Sequence, residues 1–135
     1  MSEIKNKKYG DIVFYIDGNE IKDKKYGKTL YYLDGDEVKK GGKYGEVIRY
    51  IDGNEVKTKK YGDTVLYFDG NEVKNKKYGD SEFYIDGSEI KNKKYGDVLL
   101  YIEDRVQTDM LKAILSIYWY TPIPITLYNR TKINE

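Results

Sequence analysis

The sequence predicts a mainly β protein: an antiparallel β-hairpin repeat array, a meander of about 17 residues per hairpin, with a C-terminal capping helix. Three observations carry this expectation. Tyr-Gly recurs at Tyr9-Gly10, Tyr26-Gly27, Tyr44-Gly45, Tyr61-Gly62, Tyr78-Gly79 and Tyr95-Gly96, at spacings of 17, 18, 17, 17 and 17 residues. Between these dipeptides Asp-Gly recurs, contributing Gly18, Gly35, Gly53, Gly70 and Gly87. Beyond residue 106 the repeat stops and an apolar stretch of helical character follows.

The first element is a half unit. Glu3-Ile4-Lys5-Asn6-Lys7-Lys8 matches Glu89-Ile90-Lys91-Asn92-Lys93-Lys94, so the array begins on the second strand of a hairpin. Each full unit opens with a run rich in β-branched and aromatic residues, such as Ile12 to Ile16, Val47 to Ile51 or Thr64 to Phe68. Asp-Gly follows, the residue pair that a type I′ hairpin turn demands, because both central positions need positive φ. A second, shorter run, Glu20-Ile21-Lys22 and its copies, returns. The one extra residue of the 18-residue spacing falls in Lys40-Gly41-Gly42-Lys43, which marks that segment as a loop.

Side chains alternate along a strand. With Asp17-Gly18 as the two-residue loop, Phe14 faces Ile21 and Tyr15 faces Glu20. One face then carries Ile12, Phe14, Ile16 and Ile21 and their apolar counterparts, and is expected to be buried. The other carries Tyr15, Tyr32, Tyr50, Tyr67, Tyr84 and Tyr101 among Glu and Lys neighbours. These six tyrosines are the candidate binding surface, since tyrosine is enriched at interfaces. The alternative for a 17-residue period is a parallel β-solenoid. It would stack Asp17 on Asp34 and Lys22 on Lys39 about 4.8 Å apart, and like charges in direct register are destabilising.

At the C-terminus Thr108 can cap a helix over about residues 108–119, and its wide apolar arc expects burial. Pro122 and Pro124 force an extended course, residues 125–128 suit an edge strand, and residues 129–135 form a polar tail. The chain thus divides into hairpin repeats over residues 1–106 and a C-terminal cap over 107–135. The apolar face needs more cover than one helix provides, so the sheet must coil, close or dimerise through that face.

Composition narrows the chemistry. The chain is 39% apolar and 35% charged, with 24 Lys and Arg against 23 Asp and Glu, so it is not a nucleic-acid polycation as a whole. Cysteine and histidine are absent, which removes thiol nucleophiles, His-based triads and the usual zinc ligands. Carboxylates such as Asp11 and Glu20 recur in every unit, whereas acid–base catalysis needs one uniquely placed pair. The expectation is a non-enzyme without metal or cofactor. No signal peptide or membrane-spanning run is visible at the given N-terminus, which suggests a cytoplasmic protein.

Two rims remain. The Asp-Gly-Asn-Glu turns would align along one edge, where calcium loops are a possible reading, but turn chemistry accounts for Asp, Gly and Asn. The Lys-Lys-Tyr segments, such as Lys24-Lys25-Tyr26 and Lys59-Lys60-Tyr61, would align along the other. Such a pattern suits either an anionic polymer or a solvated rim. Arg49 stands on the apolar face where neighbouring units carry Phe or Leu.

The unit Gly27-Lys28-Thr29-Leu30-Tyr31-Tyr32-Leu33-Asp34-Gly35 resembles the cores of two families of short hairpin repeats. One is the MORN-type repeat, with its G-x4-Y-x-x-G core. The other is the cell-wall (choline) binding repeat, with its G-x-W-Y-Y-L-x-x-x-G core. The chain departs from both in its 17-residue period, and Trp119 lies outside the units. Both resemblances imply a non-enzymatic binding or scaffolding class. The expected function is therefore presentation of a Tyr/Lys-rich surface to a protein partner, which includes a second copy of the chain through the apolar face. The alternatives are a cell-wall or glycan-binding module and a closed barrel holding an apolar ligand.

Overall fold

The structure, a computed structural model, describes residues 2–120. Its strands are β1 (Ser2–Lys5), β2 (Ile12–Asp17), β3 (Glu20–Lys22), β4 (Thr29–Asp34), β5 (Glu37–Lys40), β6 (Val47–Asp52), β7 (Glu55–Lys57), β8 (Thr64–Asp69), β9 (Glu72–Lys74), β10 (Ser81–Asp86), β11 (Glu89–Lys91) and β12 (Val98–Ile102). One helix follows, α1 (Thr108–Tyr120). Every strand pairs antiparallel with its chain neighbours, as the meander requires. The expected edge strand at residues 125–128, the prolines 122 and 124 and the polar tail lie outside the described residues.

The array is not open, and it is not a solenoid. β12 pairs with β1, Ile4 opposite Ile102 and Lys5 opposite Tyr101, which closes a barrel of twelve strands. The half unit at the N-terminus is the reason the ring can close. Five hairpins are continuous in sequence, and the sixth is assembled from β12 and β1 at opposite ends of the β-region. Glu103, which follows β12 where the other units have Asp, needs no glycine after it because no hairpin turns there.

Curvature comes from a bulge in each unit. Lys5 pairs with Ile12 while Ile4 pairs with Phe14, so Val13 is an extra residue. The same slip recurs at Leu30, Ile48, Val65, Glu82 and Leu99. Bulges bend a strand and increase local twist, and repeating one every second strand curls the sheet shut. Ile12, expected on the buried face, is instead expelled by its bulge and stands 40% exposed.

The hairpin register also differs from expectation. Asp17 pairs with Glu20 and Ile16 with Ile21, so the loop residues are Gly18 and Asn19 rather than Asp17 and Gly18. Gly18 has φ +63°. Positive φ at the first central position but not at the second, Asn19, belongs to the type II′ turn. The slip amounts to two residues in the pairing, so the division into faces survives it.

The inward face carries Phe14, Ile16, Ile21, Leu33, Val38, Leu66, Val73, Phe83, Ile90 and Leu100, all buried. Twelve strands about 4.8 Å apart and tilted about 40° close at a backbone radius of about 12 Å. Once inward side chains are in place, the bore matches the roughly 10–12 Å diameter of a helix. α1 fills it. Met110, Ala113, Ile114, Leu115, Ser116, Ile117 and Tyr118 are at most 5% exposed and together cover every side of the helix. The helix is therefore not a terminal cap but the centre of the core, and wall and filling form one hydrophobic cluster. The boundary at residue 106 separates the barrel wall from what it encloses. Among the described residues the apolar face of the sheet is turned inward onto α1 and is not offered to a second copy.

Two polar side chains of α1 are tied down within the barrel. Lys112 donates from Nζ to the carbonyl of Gly53 at 2.7 Å and lies 5.8 Å from the centre of the Phe68 ring. Ser116 donates to the Ala113 carbonyl. Phe83 packs edge-on against Trp119 and tilted against Tyr118.

Candidate functional site

The closed ring gathers the two kinds of connection at opposite ends. The hairpin turns around Gly18, Gly35, Gly53, Gly70 and Gly87, with the seam at Glu103, form one rim. The six loops at residues 6–11, 23–28, 41–46, 58–63, 75–80 and 92–97 form the other, here called the crown. α1 starts at the turn rim, where Lys112 reaches Gly53, and ends near the crown, where Trp119 shares a cleft with Thr58, Thr64 and Glu82.

Each crown loop is a tight turn. In the first, the Gly10 N–H donates to the Lys7 carbonyl at 2.9 Å, and the Asp11 N–H donates to Asn6 Oδ1 at 3.0 Å. A Cβ on Gly10 would run into Asn6 Oδ1 and the Lys7 side chain. Glycine is thus required at the last position of the turn, and tyrosine is left with the left-handed one. Tyr9, Tyr26, Tyr78 and Tyr95 have φ of 63–65° and are the left-handed non-glycine residues among those described. That conformation costs a non-glycine residue on the order of 1 kcal/mol.

All six crown tyrosines, Tyr9, Tyr26, Tyr44, Tyr61, Tyr78 and Tyr95, are 88–94% exposed. Lysine ammonium groups lie over five of these rings at 5.4–5.7 Å from their centres: Lys8, Lys25, Lys60, Lys77 and Lys94. The six loops together hold twelve lysines and six carboxylates. The near-zero charge of the whole chain conceals this basic end.

The turn rim has the opposite balance. Lys22 stands between Asp17 (3.4 Å) and Glu20 (3.6 Å), and the pattern repeats at Lys39, Lys57, Lys74 and Lys91. Two carboxylates surround each lysine. Hydrogen bonds donated to these carboxylates raise Lys39, Lys57, Lys74 and Lys91 above their ordinary value, and Lys39 in turn lowers Asp34.

The six tyrosines read from sequence as the binding surface occupy the outer wall between the rims. Tyr32, Tyr50, Tyr67, Tyr84 and Tyr101 are half-buried and Tyr15 is buried. Each is flanked across the sheet by a Glu on one side and a Lys on the other, as Tyr67 is by Glu55 and Lys74. They form a continuous girdle in which lysine stems and ion pairs cover the rings. This alternation of tyrosine with charge is unlike the apolar band of a lipid-facing barrel. The glycines read as turn formers do sit at turns with φ of 61–63°. The exposed tyrosines were visible in the sequence as the Tyr-Gly repeat itself, but a Tyr before Gly reads as a loop marker and gave no sign of left-handed backbone.

Two units depart from the pattern. Arg49 takes the inward place of Phe14 or Leu66, is 7% exposed, and donates to the Ile48 carbonyl at 2.7 Å. Its charge works against the burial that raises the pKa of Tyr31. Glu82 takes the bulge place held elsewhere by Val, Leu or Ile, and its carboxyl is raised by burial and by neighbouring Asp80. Clefts of 460 and 320 Å³ open at the rims, the larger lined by Ile85, Arg105 and Leu111 beside the start of α1. Among the described residues no group of three carboxylates is arranged to hold a metal ion. Among these residues no helix is long and apolar enough to cross a membrane. The chain matches no family model, and no curated protein or solved structure is similar to it.

Proposed function

We propose that this protein is a non-catalytic interaction module that docks an acidic protein surface on its tyrosine–lysine crown. The supporting observation is the crown's six nearly fully exposed tyrosines, four of them in left-handed backbone at a cost to the fold. Strain repeated four times around a ring is retained where a surface has a use for it. Tyrosine and lysine together supply ring area, hydroxyls and positive charge, the combination that recognises carboxylate-bearing partners.

The crown serves this role better than the girdle, whose rings are half-covered and whose charges are paired internally. It also serves a protein better than a sugar, because lysines lie over ring faces that a pyranose would stack on. The barrel interior, which an apolar ligand would need, holds α1. A non-enzymatic binding role agrees with the class implied by the hairpin-repeat resemblance.

Labelled poly-L-glutamate titrated with the protein tests the proposal. Binding is expected, and Lys60→Glu with Lys77→Glu and Lys94→Glu should weaken it at least tenfold. Tyr67→Ala with Tyr84→Ala, in the girdle, should leave it within twofold. The reverse pattern moves the docking surface to the girdle and overturns the crown.

A further inference from the structure

The two ends of the barrel are complementary to each other. Closure places six loops on one end and six hairpin ends, the seam included, on the other, so both rings carry their units at the same angular step. Each hairpin end leaves one carboxylate in excess over its lysine, and the crown averages one lysine in excess per loop. The rim aspartates stay accessible despite their ion pairs, with Asp52, Asp69 and Asp86 side chains 55–57% exposed. Around the rim glycines there is open space: a Cβ added to Gly18, Gly53 or Gly70 would meet nothing within 4 Å. Such bare peptide surface can receive a tyrosine ring lying flat.

We propose that the acidic partner of the crown is the turn rim of a second copy of this chain, so that barrels stack head to tail. This rests on the crown being a docking surface and names its occupant. An external partner would need a ring of acidic sites at the crown's own spacing, and the opposite end of the same barrel has that spacing by construction. A disc about 15 Å in radius offers roughly 700 Å², close to the ~800 Å² that each partner contributes to a standard interface. The contact is heterologous, so a dimer leaves one crown and one rim unsatisfied and growth continues instead of stopping at a closed pair. Five of the six crown loops carry the excess lysine, the loop at residues 41–46 balancing Lys43 with Glu46. So few charge pairs at an exposed interface make the contact weak and salt-sensitive.

Light scattering on the full chain tests this. At low salt the weight-average mass should at least double over roughly a hundredfold rise in concentration. It should return to the monomer value near 0.5 M salt, where the screening length falls to about 4 Å. A crown-reversed variant, Lys8→Glu with Lys25→Glu, Lys60→Glu and Lys77→Glu, should be monomeric alone. It keeps its acidic rim, so added to wild-type protein it should cap the stacks and lower their mass. Asn19→Glu with Asn54→Glu and Asn71→Glu, which add carboxylates to the rim tips, should shift association to lower concentration. A wild-type chain that stays monomeric throughout overturns the stack. If poly-L-glutamate still binds that monomer through the crown lysines, the docking surface stands without it, and if that binding fails too, both fall. Association that ends at a dimer, or that the crown-reversed variant does not shorten, also overturns it. So does a single-stranded oligonucleotide bound at least tenfold more tightly than poly-L-glutamate by a chain that does not self-associate.

Discussion

Lys5 Nζ lies 3.2 Å from Glu103 Oε2, joining the residue that follows the last strand, β12, to the end of the first, β1. Glu103 stands where Asp17, Asp34, Asp52, Asp69 and Asp86 stand in the continuous hairpins, and Lys5 where their lysines stand. Lys5 also reaches Glu3 at 3.7 Å, as Lys22 reaches Glu20. The barrel's closing pair is thus a sixth copy of a contact made five times within hairpins, supplied by residues 98 positions apart. The Glu103 N–H to Glu3 carbonyl bond and the Ser2 hydroxyl to Asp104 carbonyl bond complete the seam.

Reversing one charge of that pair should loosen the seam and reversing both should restore it. Lys5→Glu places three carboxylates together, and Glu103→Lys sets two ammonium groups side by side. Amide exchange at Glu3 and Ile4 is expected to quicken in each single variant and to return toward wild-type rates in the double. A double variant as open as the singles would show that backbone pairing alone holds β1.

The lysine–carboxylate clusters also make stability depend on pH at both extremes. Hydrogen bonds to carboxylates raise Lys5, Lys39, Lys57, Lys74 and Lys91 above their ordinary 10.5. A raised folded-state pKa gives stability that is whole below the unfolded value and is lost as pH rises through the folded one. Tyr31, raised by burial, acts in the same direction from 10.0 upward. Asp34, lowered from 3.8 chiefly by its hydrogen bond from Lys39, gives stability that is lost as pH falls below that value. Glu82, raised from 4.5 first by burial, gives stability that is lost as pH rises through its folded value. Urea midpoints should therefore fall at the acid extreme, decline slightly on leaving the acid side, flatten by about pH 7, and fall again above about pH 9. In Lys39→Met the Asp34 share of the acid-side fall should shrink.

The helix within the barrel makes a different kind of prediction. Ile114 is fully buried at the centre of α1. Ile114→Ala should cost about 2–5 kcal/mol through the cavity it leaves. Because wall and filling share one core, the loss should appear in a single cooperative transition reported alike by Trp119 fluorescence and by β-sheet circular dichroism. A small loss, or helix and strands melting apart, would make α1 a removable accessory.

Much of this architecture was legible residue by residue, and the failures have physical causes. The alternation Phe14, Tyr15, Ile16 assigns the faces, and a hairpin slip of two residues cannot disturb a period of two. The half unit at Glu3-Ile4-Lys5 was visible too, but its meaning depends on β12 meeting it, a contact with no local signature. The bulges at Val13 and Leu30 hide because Val and Leu suit a strand whether paired or extra. Only Glu82 and Arg49 break the apolar pattern enough to mark their positions. Expecting α1 to cap one end followed from counting it against a flat sheet; an all-round apolar helix fits no flat sheet, and Ala113, Ser116 and Ile117 on its several sides were the sign of a closed sheath. The left-handed backbone of Tyr9, Tyr26, Tyr78 and Tyr95 left no sign in the sequence because these residues adjoin glycine, to which sequence logic assigns positive φ.

The backbone separates the role of the crown tyrosines from that of the turn glycines. Gly70 holds φ +63° with open space around it, so Gly70→Val is strained through backbone alone and should destabilise by more than about 1 kcal/mol. Tyr9, Tyr26, Tyr78 and Tyr95 hold nearly the same φ with a side chain in place. Tyr26→Gly and Tyr78→Gly should leave stability unchanged or raise it by up to about 1 kcal/mol, since relief of strain offsets the added freedom of the unfolded chain. Tyr61, equally exposed but without positive φ, has no strain to relieve, and Tyr61→Gly should lower stability by roughly 0.5–1 kcal/mol. Chemical denaturation of the three variants reads this difference directly, and all three should bind poly-L-glutamate less tightly. Were Tyr26→Gly to destabilise the barrel as much as Tyr61→Gly does, the left-handed tyrosines would be part of what holds the loops together, and their exposure would no longer speak for a partner.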